Sequence, residues 1–237
     1  MHVISAALAT ALAVLLVAVQ PFRGRQRYQR LLARVSTDPR ARIDHYRRGI
    51  VAEWTGVAIV GLIGVLAGRS AGSIGLRGAD GRSGAWDQVA PIVVVLAVGT
   101  VLFRQRSLRD ALRRQARGFL ALLPSTREEK LFFVPLAITA GVCEEILFRG
   151  FLLAYIAWLW PHATDTQLVV VTSIAFGIAH LYQGVLGVLV TGVVGVLLAS
   201  MVVDGGSLLP AMVVHALIDL RIIFLPQLLE TPQPAET

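Results

Sequence analysis

LFFVPLAITAGVCEEILFRGFLLAYIAWLW, residues Leu131 to Trp160, is apolar along most of its length yet carries Glu144, Glu145 and Arg149 near its middle. A run of this length crosses a hydrocarbon core ~30 Å thick as one helix at ~1.5 Å per residue. Each charge placed at that depth costs at least ~2.5 kcal/mol even on the most permissive insertion scale. A chain keeps such a cluster only around a pair, a cavity or a reaction, so the stretch sets both the fold class, membrane-spanning helix, and the first candidate site.

The rest of the sequence agrees with that class. Of 237 residues, 55% are hydrophobic and the mean hydropathy is +0.68, well beyond the apolar usage of a soluble domain. The expected fold is all-α, a multi-pass transmembrane helical bundle with about seven spans: Val3–Gln20, Ile50–Gly68, Val89–Phe103, Leu131–Trp160, Leu168–Leu181, Val185–Val203 and Leu208–Leu225. Residues 1–130 form N-terminal spans with two Arg-rich segments, 131–225 a helical core, and 226–237 a short tail whose last residues, Thr231 to Thr237, have disordered composition.

The net charge is +7, but 17 of the 22 Lys and Arg residues lie in two windows, Arg23–Arg48 and Arg104–Lys130. Clustering between spans points to topology and away from nucleic acid as a partner. Val3–Val19 has no preceding basic residue and nine arginines after it, which resist translocation, so it is expected to be a retained first span rather than a signal peptide. Both windows then face the cytoplasm and the amino terminus lies outside, in a cell-membrane protein. In the second window Leu108, Leu112, Ala116, Phe119 and Leu120 recur at helical spacing among arginines. That pattern suits an amphipathic helix on an anionic bilayer face, or equally a solvated loop helix.

Other features carry less. Gly64 with Gly68, and Gly184, Gly187, Gly192 and Gly195, permit close helix approach. The lone Cys143 excludes an intramolecular disulfide. His2, His45 and His162 are expected in solvent, without partners, Asp165 and Asp204 in external loops, and Trp158 and Trp160 in an interfacial belt.

The intramembrane polar residues fall into three groups, Glu144–Glu145–Arg149, Phe176–His180 and His215–Asp219, at or near i, i+4 spacing, so each helix presents one polar stripe. Glu145 and Arg149 are placed to neutralise one another. Glu144 is rotated about 100 degrees round the helix and lacks an intrahelical partner, the situation of a carboxylate suited to act as a base. Glu144 lies ~20 Å from Leu131, and His180 and His215 lie about 18 Å and 10 Å from their external ends. The stripes can meet in one cavity, in the outer half of the bilayer or near its middle.

Glu144-Glu145-Ile146-Leu147-Phe148-Arg149 resembles the EExxxR signature, Phe176 to His180 resembles FxxxH, and His215 to Asp219 resembles HxxxN/D. Together, and in this order, they are similar to the CPBP family of intramembrane proteases, which includes the CAAX prenyl endopeptidases and the bacterial Abi-type proteins. The match spans Leu131 to Leu220. The resemblance implies that Glu144 and His180 activate the attacking water, that Glu145 and Arg149 support the site, and that His215 and Asp219 stabilise the oxyanion. Asp219 fits that last role poorly, because an ionised carboxylate has no proton to give. It more naturally orients His215 or binds a metal.

Glu144, His180 and His215 are a plausible Zn2+ set, although the contiguous HExxH helix is missing. A glutamate-activated water without metal is the other arrangement. The leading expectation is an intramembrane endopeptidase acting on membrane-associated, CAAX-like or other peptides. A non-proteolytic immunity or scaffold protein is the alternative, and a proton or ion transporter would also use buried Glu, His and Asp.

Overall fold

The computed structural model describes residues 3–76, 84–94 and 120–224. Its labelled helices are α1 (Val3–Arg34), α2 (Ala41–Leu66) and α3 (Arg127–Leu159), followed by α4 (Asp165–Ala179), α5 (Gly184–Gly205) and α6 (Leu209–Leu220). No strand occurs among the described residues. The protein is an all-α membrane bundle. α1, α2, α3 and the segment Leu181–Gly205 are long and apolar enough to cross a bilayer, while α4, with 15 residues, is shorter and α6 has only 12. Helices stand at six of the seven expected spans. The third, Val89–Phe103, is described only to residue 94, and the amphipathic pattern at 108–119 and the tail from 226 lie outside the described residues.

The first helix extends further than the apolar run suggests. It continues through Pro21 and the arginines to Arg34. Proline removes one backbone donor and disfavours a regular i−4 ladder. The ladder loosens just before it, where Leu15–Val19 is a π-helical turn and the Gln20 N–H reaches Leu15 O. Beyond this point Tyr28 and Leu31 are buried against Ala41 and Ala121, which gives the basic half of α1 an apolar face to pack. Asp38, in the connection to α2, accepts the Arg40 N–H at 2.9 Å and pairs with Arg34. Those contacts hold its carboxyl below the ordinary range, the Arg40 amide first among them.

The described end of the second basic window docks on the first. Arg42 Nε donates to Ala121 O at 2.8 Å, Arg42 Nη1 pairs with Glu129 at 3.0 Å, and Tyr46 Oη donates to Leu122 O at 2.6 Å. Glu129 is also the N3 member of a capping box with Thr126 that starts α3, satisfying the open amides of the first turn. Thr164 and Gln167 cap α4 in the same way.

Small residues set how closely the helices approach. A Cβ on Gly141 of α3 would lie 2.6 Å from Ala216 N on α6, and one on Gly177 of α4 would lie 2.6 Å from Val188 O on α5. At these crossings only glycine lets the backbones touch. The main apolar core joins α1, α2 and the later helices, with Leu12, Val60, Phe148, Phe176, Leu198 and Val214 all buried in one cluster. The outward side is apolar too: Val185, Leu189 and Val193 on α5 are exposed, as a lipid-facing stripe requires. Trp158 and Trp160 are also exposed, at the end of α3 where an interfacial belt was expected.

Candidate active site

The site begins with an ion pair in the densest part of the bundle. Arg149 Nη1 donates to Glu145 Oε1 at 3.0 Å, and both side chains are fully buried. Arg149 Nη2 donates to Gly195 O on α5 at 3.2 Å, and its guanidinium lies 4.1 Å above the centroid of Phe176 on α4. One arginine therefore ties three helices together. The backbone around it, Ile146–Leu152, is a π-helical stretch with every residue buried. Such wider turns often occur at functional positions.

Glu145 Oε1 also accepts from His215 Nδ1 at 2.8 Å. This contact crosses from α3 to α6 directly beside the Gly141–Ala216 approach. Glu145 is an acceptor held by Arg149, so His215 must carry its proton on Nδ1 in the neutral ring, which turns the Nε2 lone pair toward the cavity. His180 is fixed likewise: its Nδ1 lies 2.9 Å from Phe176 O, a carbonyl that can only accept. Phe176 thus serves the site twice, through its carbonyl and through the ring beneath Arg149.

Both free Nε2 atoms point at the same oxygen. Glu144 Oε2 is 3.8 Å from His180 Nε2 and 3.9 Å from His215 Nε2, and Asp219 Oδ2 is 3.8 Å from His215 Nε2. These separations are too long for direct hydrogen bonds and suit a single bridging group. Glu144 Oε2 is buried without a hydrogen-bond partner. Glu144, Glu145, Arg149, His180, His215 and Asp219, proposed from three separate stretches of sequence, are thereby brought together. The orientation of His215 falls to Glu145 on Nδ1, not to Asp219, whose carboxylate sits on the Nε2 side.

The three central atoms bear on a metal as well. Two imidazole nitrogens with engaged second nitrogens and an unpartnered carboxyl oxygen are the donor types of a zinc site with its outer shell. Among the described residues no trio is closed to metal-ligand spacing. Donor separations in a tetrahedral site with ~2.0–2.1 Å bonds are about 3.3 Å, so Glu144 and the rings would draw in by roughly half an ångström.

The cavity that holds these groups has a volume of about 360 Å³ and extends to Arg27 of α1 and His45 of α2. It reaches toward the Arg-rich end of the bundle. His45, expected in solvent, is instead half-buried on this cavity wall, because α2 already begins at Ala41. The cavity also contains a carboxyl group from outside the three motifs. Glu53 of α2 lines it, and Glu53 Oε2 is buried without a hydrogen-bond partner. Its signal was visible, since Glu53 is the only charged residue between Ile50 and Gly68.

Residues 126–221 match the family model of type II CAAX prenyl endopeptidase Rce1-like proteins. The match supports the CPBP and CAAX protease family expected from the three motifs, and it runs from the capping box of α3 to the end of α6. No curated protein and no solved structure matches the chain.

Proposed function

We propose that the protein is an intramembrane endopeptidase that hydrolyses peptide bonds of membrane-associated substrates, prenylated CAAX-type peptides being the class its family match suggests. The observation that carries this reading is the convergence of Glu144 Oε2 with the Nε2 atoms of His180 and His215, while both Nδ1 atoms are engaged elsewhere. Three acceptors arranged around one point suit a water that donates to two of them at a time.

In this reading Glu144 takes a proton from the water as its oxygen bonds to the scissile carbonyl carbon. The C–N bond then breaks and the same proton passes to the departing amine. His180 holds the water from the second side, with its tautomer set by Phe176 O. His215 lies between Glu145 on Nδ1 and the Glu144 and Asp219 carboxyl groups on the Nε2 side, and these groups would steady the positive charge on its ring when Nε2 takes a proton. Glu145 and Arg149 hold that ring in place and keep each other neutralised in the apolar interior. If zinc is resident, Glu144, His180 and His215 hold it, and its chemistry would be polarisation of the bound water.

Comparison of membrane proteomes from cells with the wild-type protein and with Glu144→Gln tests the reading. Fragments whose new termini vanish in the variant are expected. Identical termini in both would reject hydrolysis, and a phenotype retained by Glu144→Gln would favour a scaffold or immunity role.

A further inference from the structure

The family-matched segment does not close the candidate site by itself, because α2, outside residues 126–221, supplies Glu53 to the same cavity. Glu53 Oε2 has no hydrogen-bond partner although it is buried, and Glu53 interacts electrostatically with Glu144, Asp219 and His215. A carboxyl oxygen taken out of water and left unpaired is costly, so its retention calls for a donor that arrives from elsewhere.

None of the groups around it bonds this oxygen. Glu144 and Asp219 are acceptors, and the free Nε2 atoms of His180 and His215 face Glu144. Water in the cavity of about 360 Å³ can serve Glu53 while the site is empty, and a peptide that displaces this water must replace its donor. A peptide entering an apolar cavity brings its own donors, the backbone N–H groups that lose water on entry and must be paired inside. An N–H group of that peptide can donate to Glu53 Oε2, which a carbonyl oxygen cannot.

We infer that Glu53 is a substrate-positioning residue that accepts a hydrogen bond from a backbone N–H of the bound peptide, holding the chain against α2 while Glu144 on α3 faces the scissile carbonyl. This assignment rests on the proposed peptidase function. It also makes the N-terminal helices part of the substrate site, beyond their role as a membrane platform.

The test uses the full-length protein in nanodiscs with a fluorescent farnesylated peptide ending in Cys-aliphatic-aliphatic-Ser, and Glu144→Gln as the non-cleaving parent. Adding Glu53→Leu should weaken binding about tenfold or more, whereas adding Glu53→Gln, whose amide oxygen still accepts, should retain binding within about threefold. Thermal unfolding of each variant separates loss of binding from loss of fold. If Glu53→Leu proves unfolded, Glu53→Met takes its place. Equal binding by the folded apolar variant, or no binding by the parent, overturns the assignment. Glu53-dependent binding without cleavage by the wild type would reject hydrolysis and leave the Glu53 assignment standing. Cleavage with Glu53-independent binding would do the reverse.

Discussion

His215 Nδ1 lies 2.8 Å from Glu145 Oε1, and that oxygen also receives Arg149 at 3.0 Å. The second glutamate of the pair is thus the joint between an ion pair within α3 and a histidine on α6. The first glutamate takes no part in either contact and keeps its Oε2 for the cavity. Adjacent residues of the same type therefore have separate physical roles, fixed by a rotation of about 100 degrees round one helix.

That division predicts different losses from the same chemical change. Glu145→Gln removes the charge that balances Arg149, and breaking a buried pair in this way typically costs ~3–5 kcal/mol. It also weakens the contact that fixes the His215 tautomer. Glu144→Gln removes no hydrogen bond present in the structure and should stay near wild-type stability while losing cleavage. Thermal unfolding in detergent beside a cleavage assay checks both. A destabilised Glu144→Gln with a stable Glu145→Gln would reverse the assignments.

Zinc content tests the centre independently of activity. If Glu144, His180 and His215 hold zinc, the purified protein should contain close to one equivalent, and His180→Ala or His215→Ala should remove it. The outer-shell contacts make a second expectation: Glu145→Gln, which touches only the far nitrogen of His215, should weaken metal affinity about tenfold or more. Full activity after exhaustive metal removal would leave Glu144 acting on water alone.

The contacts of Arg42 and Tyr46 also bear on topology. Arg42 and Tyr46 hold the Ala121–Glu129 region, so the described end of the second window shares one side of the bundle with the first, and the positive-inside rule predicts that side to be cytoplasmic. In a Cys143→Ala background, Ser83→Cys should react with an impermeant thiol reagent from outside intact cells and Ser36→Cys should not. External labelling at position 36 would invert the arrangement, and with it the side from which substrates reach the cavity.

The parts of this site that the sequence made legible are those carried by one helix. Glu145 and Arg149 are four residues apart, and that spacing alone places them in contact. The same logic groups His215 with Asp219, yet there it misleads, because the partner that orients His215 is Glu145, 70 positions away in the chain. Interhelical partners depend on which small residues let helices touch, and Gly141 gave no sign that Ala216 was its neighbour. Pro21 and the arginines after it made α1 look shorter than it is, since the apolar pattern stops where the helix does not. Glu53 sat in an expected span, close to Arg47 and Arg48, where a charge is easily taken for the edge of the membrane.

The glycine crossings give the most direct link between packing and chemistry. Gly141→Ala places a methyl carbon 2.6 Å from Ala216 N and 2.8 Å from its Cα, and these are backbone atoms that cannot swing aside. α3 and α6 must separate, which stretches the Glu145–His215 contact one turn away. Gly177→Ala meets Val188 O at 2.6 Å and displaces α4, which carries Phe176 and His180. Each change should cost about 1–3 kcal/mol through overpacking, despite alanine's better helix propensity. Each should also lower cleavage on the order of a hundredfold, as misplacement by about 1 Å does elsewhere. Gly61→Ala is the control: nothing lies within 4 Å of its added carbon, and stability should hold or rise slightly. Unfolding temperatures and cleavage rates for the three variants decide the matter. If Gly141→Ala behaves like Gly61→Ala, the α3–α6 approach does not set the Glu145–His215 geometry, and the site must owe its alignment to the Arg149 contacts alone.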